Sequence, residues 1–312
     1  MTINVLFINH KKSHCGVYEI GKRIHDLLDG NGFYCSYVEL DTLEEYHYAI
    51  EVCKPDVIVY NYVQQTMVFL TPEVSKLYPH IKHIAIIHDS FNYLYYVEAI
   101  FDAWIVHDLT NTSESKKKFL TVRPIPRFTR ETEIDLDNLS FGSHGFSISP
   151  WKMYDTMVEY INYAFDKATI NLNLPVATFG GSLEQSQYVA NLCKSKVTKP
   201  HIILNITHDY LDTEVELISW LSKNTMNMYF YNDKVYTNMG VAGSADLAIA
   251  SQSSLAVNNA YMYRHVNSIL GGCTKENIND FVYNYKDVEK LYNEWSPNRI
   301  VKDYINMVET IL

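Results

Sequence analysis

Apolar runs of strand length alternate with stretches of helical period along nearly the whole chain, and the alternation restarts once. The first series is INVLFIN (3–9), YCSYVEL (34–40), DVIVYNY (56–62), HIAIIHD (83–89) and AWIVHD (103–108). Several of these runs are apolar at consecutive positions rather than at every second one. A strand with one solvated face shows alternation, so these are predicted to be buried on both faces, as in a parallel sheet covered by helices. Between them, Val17, Ile20, Ile24, Leu27 and Leu28 mark one face of a helix, and LEEYHYAIEVC (43–53) has helical spacing. This is the pattern of a doubly wound α/β domain.

The rhythm breaks at PIPRFTRETEIDLDNL (124–139), where two prolines and a run of charges predict a linker. It resumes with LSFGSH (139–144), ATINLNL (168–174), HIILNIT (201–207), MNMYFYN (226–232) and SLAVNN (254–259). Helices are expected at 152–166, 184–195, 213–223 and 243–251, and the tail from Lys275 to Leu312 reads as helical throughout. The 312 residues therefore divide into a first Rossmann-like domain (1–125), a linker (126–138), a second Rossmann-like domain (139–290) and a C-terminal helix (291–312). No internal repeat or low-complexity tract is visible.

The formal net charge of −10 disfavours sequence-independent binding to DNA or to an anionic membrane. One stretch runs against it: KKKFLTVRPIPRFTR (116–130) carries six positive charges and no acid. It reads either as a solvated face near the linker or as a wall that meets a phosphate-bearing acceptor. Cys15, Cys35, Cys53, Cys193 and Cys273 include no pair at metal-ligand spacing. The apolar run at the N-terminus has no basic stretch before it and is too short for a secretion signal or a membrane span. A reduced, cytoplasmic protein without structural zinc or a transmembrane segment is expected, in the host cytoplasm if the chain is viral.

In open α/β sheets ligands bind outside the carboxyl ends of the strands, so the loops there are the place to look for chemistry. NHKKSHCG (9–16) offers His10, Lys11, Lys12, Ser13 and His14 before Gly16. Its glycine permits close backbone approach at a helix start, and His10 or His14 suits the work of a base toward a hydroxyl. HDSFN (88–92) and HDLTN (107–111) are His-Asp pairs at strand ends. They lack metal partners, and Asp89 and Asp108 read equally well as helix caps, with His88 the stronger candidate for the site. FGSHGFSISPWK (141–152) has Gly142 and Gly145 where backbone can approach an anion, Pro150 for a first helical turn, and Lys152 where its charge and a helix N-terminus both favour phosphate. It matches neither GxxxxGK[ST] nor GxGxxG. In NMGVAGSADLAIASQSSLAVNN (238–259), Gly240 and Gly243 precede a short helix, and Ser244 is placed either to help hold an anion or to cap.

Two α/β domains, a glycine-bearing first loop, a glycine strand leading to a lysine and a late Gly-x-x-Gly helix resemble the GT-B fold, two Rossmann-like domains facing across a cleft with C-terminal helices. More narrowly, the chain resembles the retaining glycosyltransferases of family four, small viral and bacterial members included. GSHGFSISPWKMYDTMVEYI (142–161) is similar to the segment that opens the second domain there, which implies that Gly145 and Lys152 contact the donor diphosphate. The late segment is similar to the family's donor loop, which implies the same for Gly240, Gly243 and Ser244, and YMYRHV (261–266) adds Arg264 as a further donor contact or a structural one. The family usually has two glutamates in that loop. Gly240 and Ala248 stand in their places here, and Asp246 is the nearest carboxylate.

The resemblance implies transfer of a sugar from a nucleotide sugar, UDP-linked, to an acceptor hydroxyl, with no cofactor or metal. The second domain takes the donor. The first takes a glycan or small acceptor, with His10, His14 and His88 catalytic and Lys11, Lys12, Gly16, Lys116, Lys117 and Arg123 binding. Two alternatives stand beside this: a phage-type enzyme acting on a hydroxymethylated base in DNA, for which the basic stretch is the motive, and a non-catalytic GT-B-like binding protein, for which the missing glutamates are.

Overall fold

The expected strands form two sheets, every pairing parallel. The computed structural model describes residues 3–12, 15–88, 94–112, 114–145, 152–176, 182–211, 213–232 and 240–312, with only the backbone of 94–96. The chain divides into two units, one of Met1–Pro124 with Trp295–Leu312 and one of Ile125–Glu294.

The first unit holds β1 (Ile3–Asn9), β2 (Phe33–Glu39), β3 (Val57–Tyr62), β4 (Lys82–Ile87), β5 (Ala103–Val106) and β6 (Lys118–Leu120), in the order β2-β1-β3-β4-β5-β6. Val5 to Ile8 and Val57 to Tyr60 are buried at every position, which explains their unbroken apolar runs. Helices α1 (Gly16–Leu28), α2 (Leu43–Cys53), α3 (Pro72–Ser75) and α4 (Leu94–Ile100) lie between the strands. Helix α1 buries Ile20, Gly21, Ile24 and Leu28, one stripe at helical spacing. Strand β6 was not expected. It is a three-residue, half-buried strand inside the basic stretch, too short for its own period to show.

The second unit holds β7 (Ser140–His144), β8 (Lys167–Asn173), β9 (His201–Thr207), β10 (Met226–Tyr229) and β11 (Ser254–Val257), in the order β11-β10-β7-β8-β9. Helices α5 (Tyr154–Ala164), α6 (Leu183–Lys196), α7 (Glu214–Ser222) and α8 (Gly243–Ala250) follow the strands in turn. Phe141, Met157, Val158, Ile161, Ile170 and Met228 lie in its core. Gly142 sits in β7 because side chains occupy the space a Cβ would need: it would lie 2.1 Å from Asn224 Nδ2 and 2.6 Å from Asn227 Oδ1. That glycine serves packing inside the sheet.

The tail is helical in pieces: α9 (Arg264–Leu270), α10 (Ile278–Phe281), α11 (Tyr285–Glu294) and α12 (Pro297–Ile311). Helix α12 belongs to the first unit. It buries Ile300, Tyr304, Met307 and Val308 there, with Tyr304 Oη 3.0 Å from His107 Nε2 and Asp303 Oδ2 accepting from Thr121 Oγ1 at 2.7 Å. The stretch 125–139 has no helix or strand and groups with the second unit.

Candidate functional site

In the second unit, β7 ends at His144, and the next helix in the chain is α5. Asn173, at the end of β8, donates through Nδ2 to Thr207 Oγ1 and to the Asp209 carbonyl, both at 3.0 Å. Its Oδ1 therefore accepts from His144 Nδ1 at 2.8 Å. Burial pulls the His144 imidazole down to about 4, and the nearby Lys152 ammonium adds to that effect. Lys152 is itself partly buried, and the loss of water lowers its ammonium to about 8. It stands two residues before α5, with Met153 between them in the left-handed region at φ 31°. Gly145 continues the β8 pairing, its N–H donating to the Asn173 carbonyl at 3.3 Å.

Helix α8 opens without a side-chain cap. The N–H of Ala242 donates to the Met262 carbonyl at 3.0 Å, which ties the helix start to the turn Tyr261–Tyr263. Among the described residues, nothing accepts from the N–H of Gly243 or Ser244. A Cβ on Gly243 would meet only Asp246 Oδ2, at 3.8 Å, so neither packing nor a positive φ asks for glycine there. The Ser244 hydroxyl lies beside that of Tyr263, and burial raises Tyr263, Tyr229 and Tyr154 above the usual phenol range. Arg264 stacks on Tyr261 at 4.1 Å and donates to its carbonyl at 3.0 Å, on the same turn. Gly240 is partly buried outside any helix or strand. Ala248 is fully buried, and the Asp246 carboxylate is buried 3.7 Å from His265 Nε2, so it is not open to a ribose.

The first unit gathers polar side chains at the same end of its own strands. Asn9 closes β1 and Asn61 is the last residue but one of β3, and both are fully buried. Asn61 Nδ2 donates to Asn9 Oδ1 at 2.7 Å and to the Val17 carbonyl at 2.9 Å, and its Oδ1 meets His88 Nε2 at 2.5 Å. Burial drives His88 well below the ordinary imidazole range, and Arg123, His107 and His10 push the same way. His10 is buried, accepts the Lys12 N–H on Nδ1 at 3.1 Å, and has Nε2 3.7 Å from Cys15 Sγ. His14, Ser13, Asp89 and Pro150 lie outside the described residues. Asp108 forms a local turn, accepting from the N–H and hydroxyl of Thr110 at 3.0 and 2.6 Å.

The remaining candidates separate. Lys11 pairs with Asp41 and Glu45 at 3.1 and 2.6 Å, Lys12 and Lys116 are exposed, and Gly16 is exposed at the start of α1. Lys117 donates to the carbonyls of Glu98 and Phe101, at 2.9 and 3.0 Å. Arg123 is buried at the His88 edge. The asparagines near strand ends, Asn9, Asn61 and Asn173, were missed. Their signal was legible: each is a polar residue directly after a buried apolar one at a strand's carboxyl end. Among the described residues no group of three or more side chains is arranged to hold a metal, and no helix is long and apolar enough to cross a membrane.

No family model matches the sequence, and no curated protein does. Solved structures do match in fold. The Anabaena protein HepE in complex with UDP and glucose has a TM-score of 0.63 at 9% identity, over 99% of this chain and 100% of its own. A glycosyltransferase from Rickettsia africae has 0.67 at 9%, over 99% and 98%. An alpha-glucosyltransferase in complex with UDP-glucose and DNA containing an abasic site has 0.58 at 10%, over 100% of each. With two all-parallel α/β units and end-to-end likeness to these proteins, the chain has the fold of the GT-B glycosyltransferases.

Proposed function

We propose that the chain is a glycosyltransferase that moves a sugar from a UDP-linked donor to an acceptor hydroxyl. The observation that carries this is in the second unit: an ammonium held in partly dry surroundings just before α5, and a helix start whose Gly243 and Ser244 N–H groups have no acceptor among the described residues. As the bond from the sugar's anomeric carbon to the diphosphate breaks, negative charge grows on the leaving group. Lys152 and the α8 N–H groups stabilise that charge, strongly where water is scarce. They supply the positive charge that a metal would otherwise bring, so transfer is metal-independent. The acceptor oxygen bonds to the anomeric carbon on the face the phosphate leaves, with retention, and its proton passes to the departing phosphate oxygen. His88 is too weakly basic to be the proton acceptor near neutral pH. It orients the acceptor by accepting a hydrogen bond from another of its hydroxyls, while the attacking hydroxyl's single proton goes to the phosphate. UDP as the nucleotude carrier is supported by the structural neighbours that hold UDP or UDP-glucose.

The acceptor is a glycan or small hydroxyl compound held by the first unit. A DNA acceptor is the second reading, favoured by the neighbour that contains DNA. The test of the donor site is thermal denaturation with UDP and UDP-glucose, with and without magnesium or a chelator. Ligand at about 100 times its Kd stabilises by about 2.7 kcal/mol, a rise of several degrees in Tm. That rise is expected without metal, and Lys152→Ala is expected to abolish it. No shift with any nucleotide sugar, or an undiminished shift in the variant, would refute the site.

A further inference from the structure

We propose that Asn61 is a positioning residue that determines which ring nitrogen His88 presents to substrate; this rests on the reading of His88 given above. Backbone groups decide the orientation, because an N–H only donates and a carbonyl only accepts. The His10 N–H lies 2.9 Å from one atom of the Asn9 amide, which is therefore its oxygen, and the Tyr18 carbonyl lies 3.0 Å from the nitrogen. Asn61 meets that same Asn9 oxygen at 2.7 Å and the Val17 carbonyl at 2.9 Å with a single atom, which is therefore Nδ2. Its Oδ1 is left facing His88 Nε2 at 2.5 Å. An amide oxygen cannot donate, so the ring hydrogen is on Nε2 and the lone pair on Nδ1.

The pedestal draws on four elements. β1 supplies Asn9, β3 Asn61, α1 the Val17 and Tyr18 carbonyls, and the end of β4 His88. Helix α1 also makes the space: a Cβ on Gly21 would lie 2.2 Å from Asn61 Nδ2 and 2.5 Å from Asn61 Cγ. The charged and titratable groups acting on His88 are Arg123, His107 and His10, and all disfavour its protonation. A neutral ring in one tautomer offers a hydroxyl one fixed acceptor.

The test is a long-range proton–nitrogen correlation spectrum of protein labelled with 15N-histidine, near neutral pH, with His88 assigned by the signals lost in His88→Gln. A protonated Nε2 and a bare Nδ1 are expected in the unmutated protein, and a protonated Nδ1 overturns the assignment of Asn61 whatever the variants do. Asn61→Leu removes the acceptor. It is expected to mix the tautomers and lower kcat about 100-fold, with the KM for UDP-glucose within about twofold. A single unchanged tautomer with full kcat in that variant overturns the proposal. Asn61→Asp is expected to raise the His88 pKa, so that its signals titrate at a higher pH than in the unmutated protein; an unmoved titration counts against it. Full activity in His88→Gln would overturn the reading of His88 while leaving the tautomer standing, so the two failures are distinguishable.

Discussion

Lys152 carries a pH dependence whose sign follows from its surroundings. Burial lowers its ammonium to about 8 in the free protein, so it loses its proton above that pH although an exposed lysine would not. A bound diphosphate favours the charged form and restores the proton. The complex then holds more protons than its separated parts, and the affinity for UDP-glucose falls as pH rises through about 8, by up to about tenfold per unit. Free-protein stability moves the other way. The cost of burying the charged form is present below the folded pKa and is relieved as pH rises toward the unfolded value. UDP-glucose suits the measurement because its diphosphate has no further proton to lose in this range. Titration calorimetry across the range is expected to show the fall, and Lys152→Arg, charged throughout, is expected to flatten it. A flat profile in the unmutated protein would mean that Lys152 does not meet the diphosphate.

At the scale of elements, two glycines that look alike in sequence have different surroundings. Gly142 is in the interior of β7 with Asn224 and Asn227 against it, whereas Gly243 opens α8 with nothing nearer than Asp246 Oδ2 at 3.8 Å. Gly142→Ala is expected to lower stability by about 1–3 kcal/mol through overpacking, with donor affinity unchanged in the protein that folds. Gly243→Ala is expected to keep its stability within about 1 kcal/mol but to weaken UDP binding, since the added methyl occupies the ligand's approach. Urea denaturation beside titration calorimetry separates the two; equal effects on both quantities would remove the distinction. The sequence showed the glycines but not this difference, because Asn224 is more than eighty residues away in the chain from Gly142. The same limit applies to how the asparagines connect, though not to their place at strand ends. Strand ends and helix starts were legible from apolar runs and caps, but the Asn9–Asn61–His88 relay exists only once the parallel register brings β1, β3 and β4 side by side.

For the whole chain, the restart of the strand-helix rhythm after 124–139 was enough to indicate two α/β units. The return of α12 to the first unit was not. An amphipathic helix has the same apolar stripe whichever core receives it, so Ile300, Tyr304, Met307 and Val308 announce a helix without naming its partner. The basic stretch shows the same limit for charge. Lys118 donates to the Asn111 carbonyl and its Oδ1, at 3.3 and 3.2 Å, and Lys117 to two other carbonyls. Arg127 donates to the Tyr292 carbonyl at 3.1 Å and lies over its ring at 4.5 Å, and Arg130 holds Ser253 Oγ at 2.8 Å. Four of the six cations are thus engaged within their own units, in a chain of net charge −10. Each phosphate neutralised contributes a slope of about −0.9 to the salt dependence of duplex binding, and little of this stretch is left to contribute. Lys116→Glu is therefore expected to leave both transfer and duplex binding unchanged. Lys117→Glu with Lys118→Glu is expected to lower Tm through lost carbonyl contacts. Labelled sugar from UDP-glucose is expected on a hydroxyl acceptor from a glycan panel and not on duplex DNA bearing hydroxymethylated bases. Incorporation into that DNA, lost in the double variant at a temperature where it remains folded, would establish the DNA acceptor and return the basic stretch to the site.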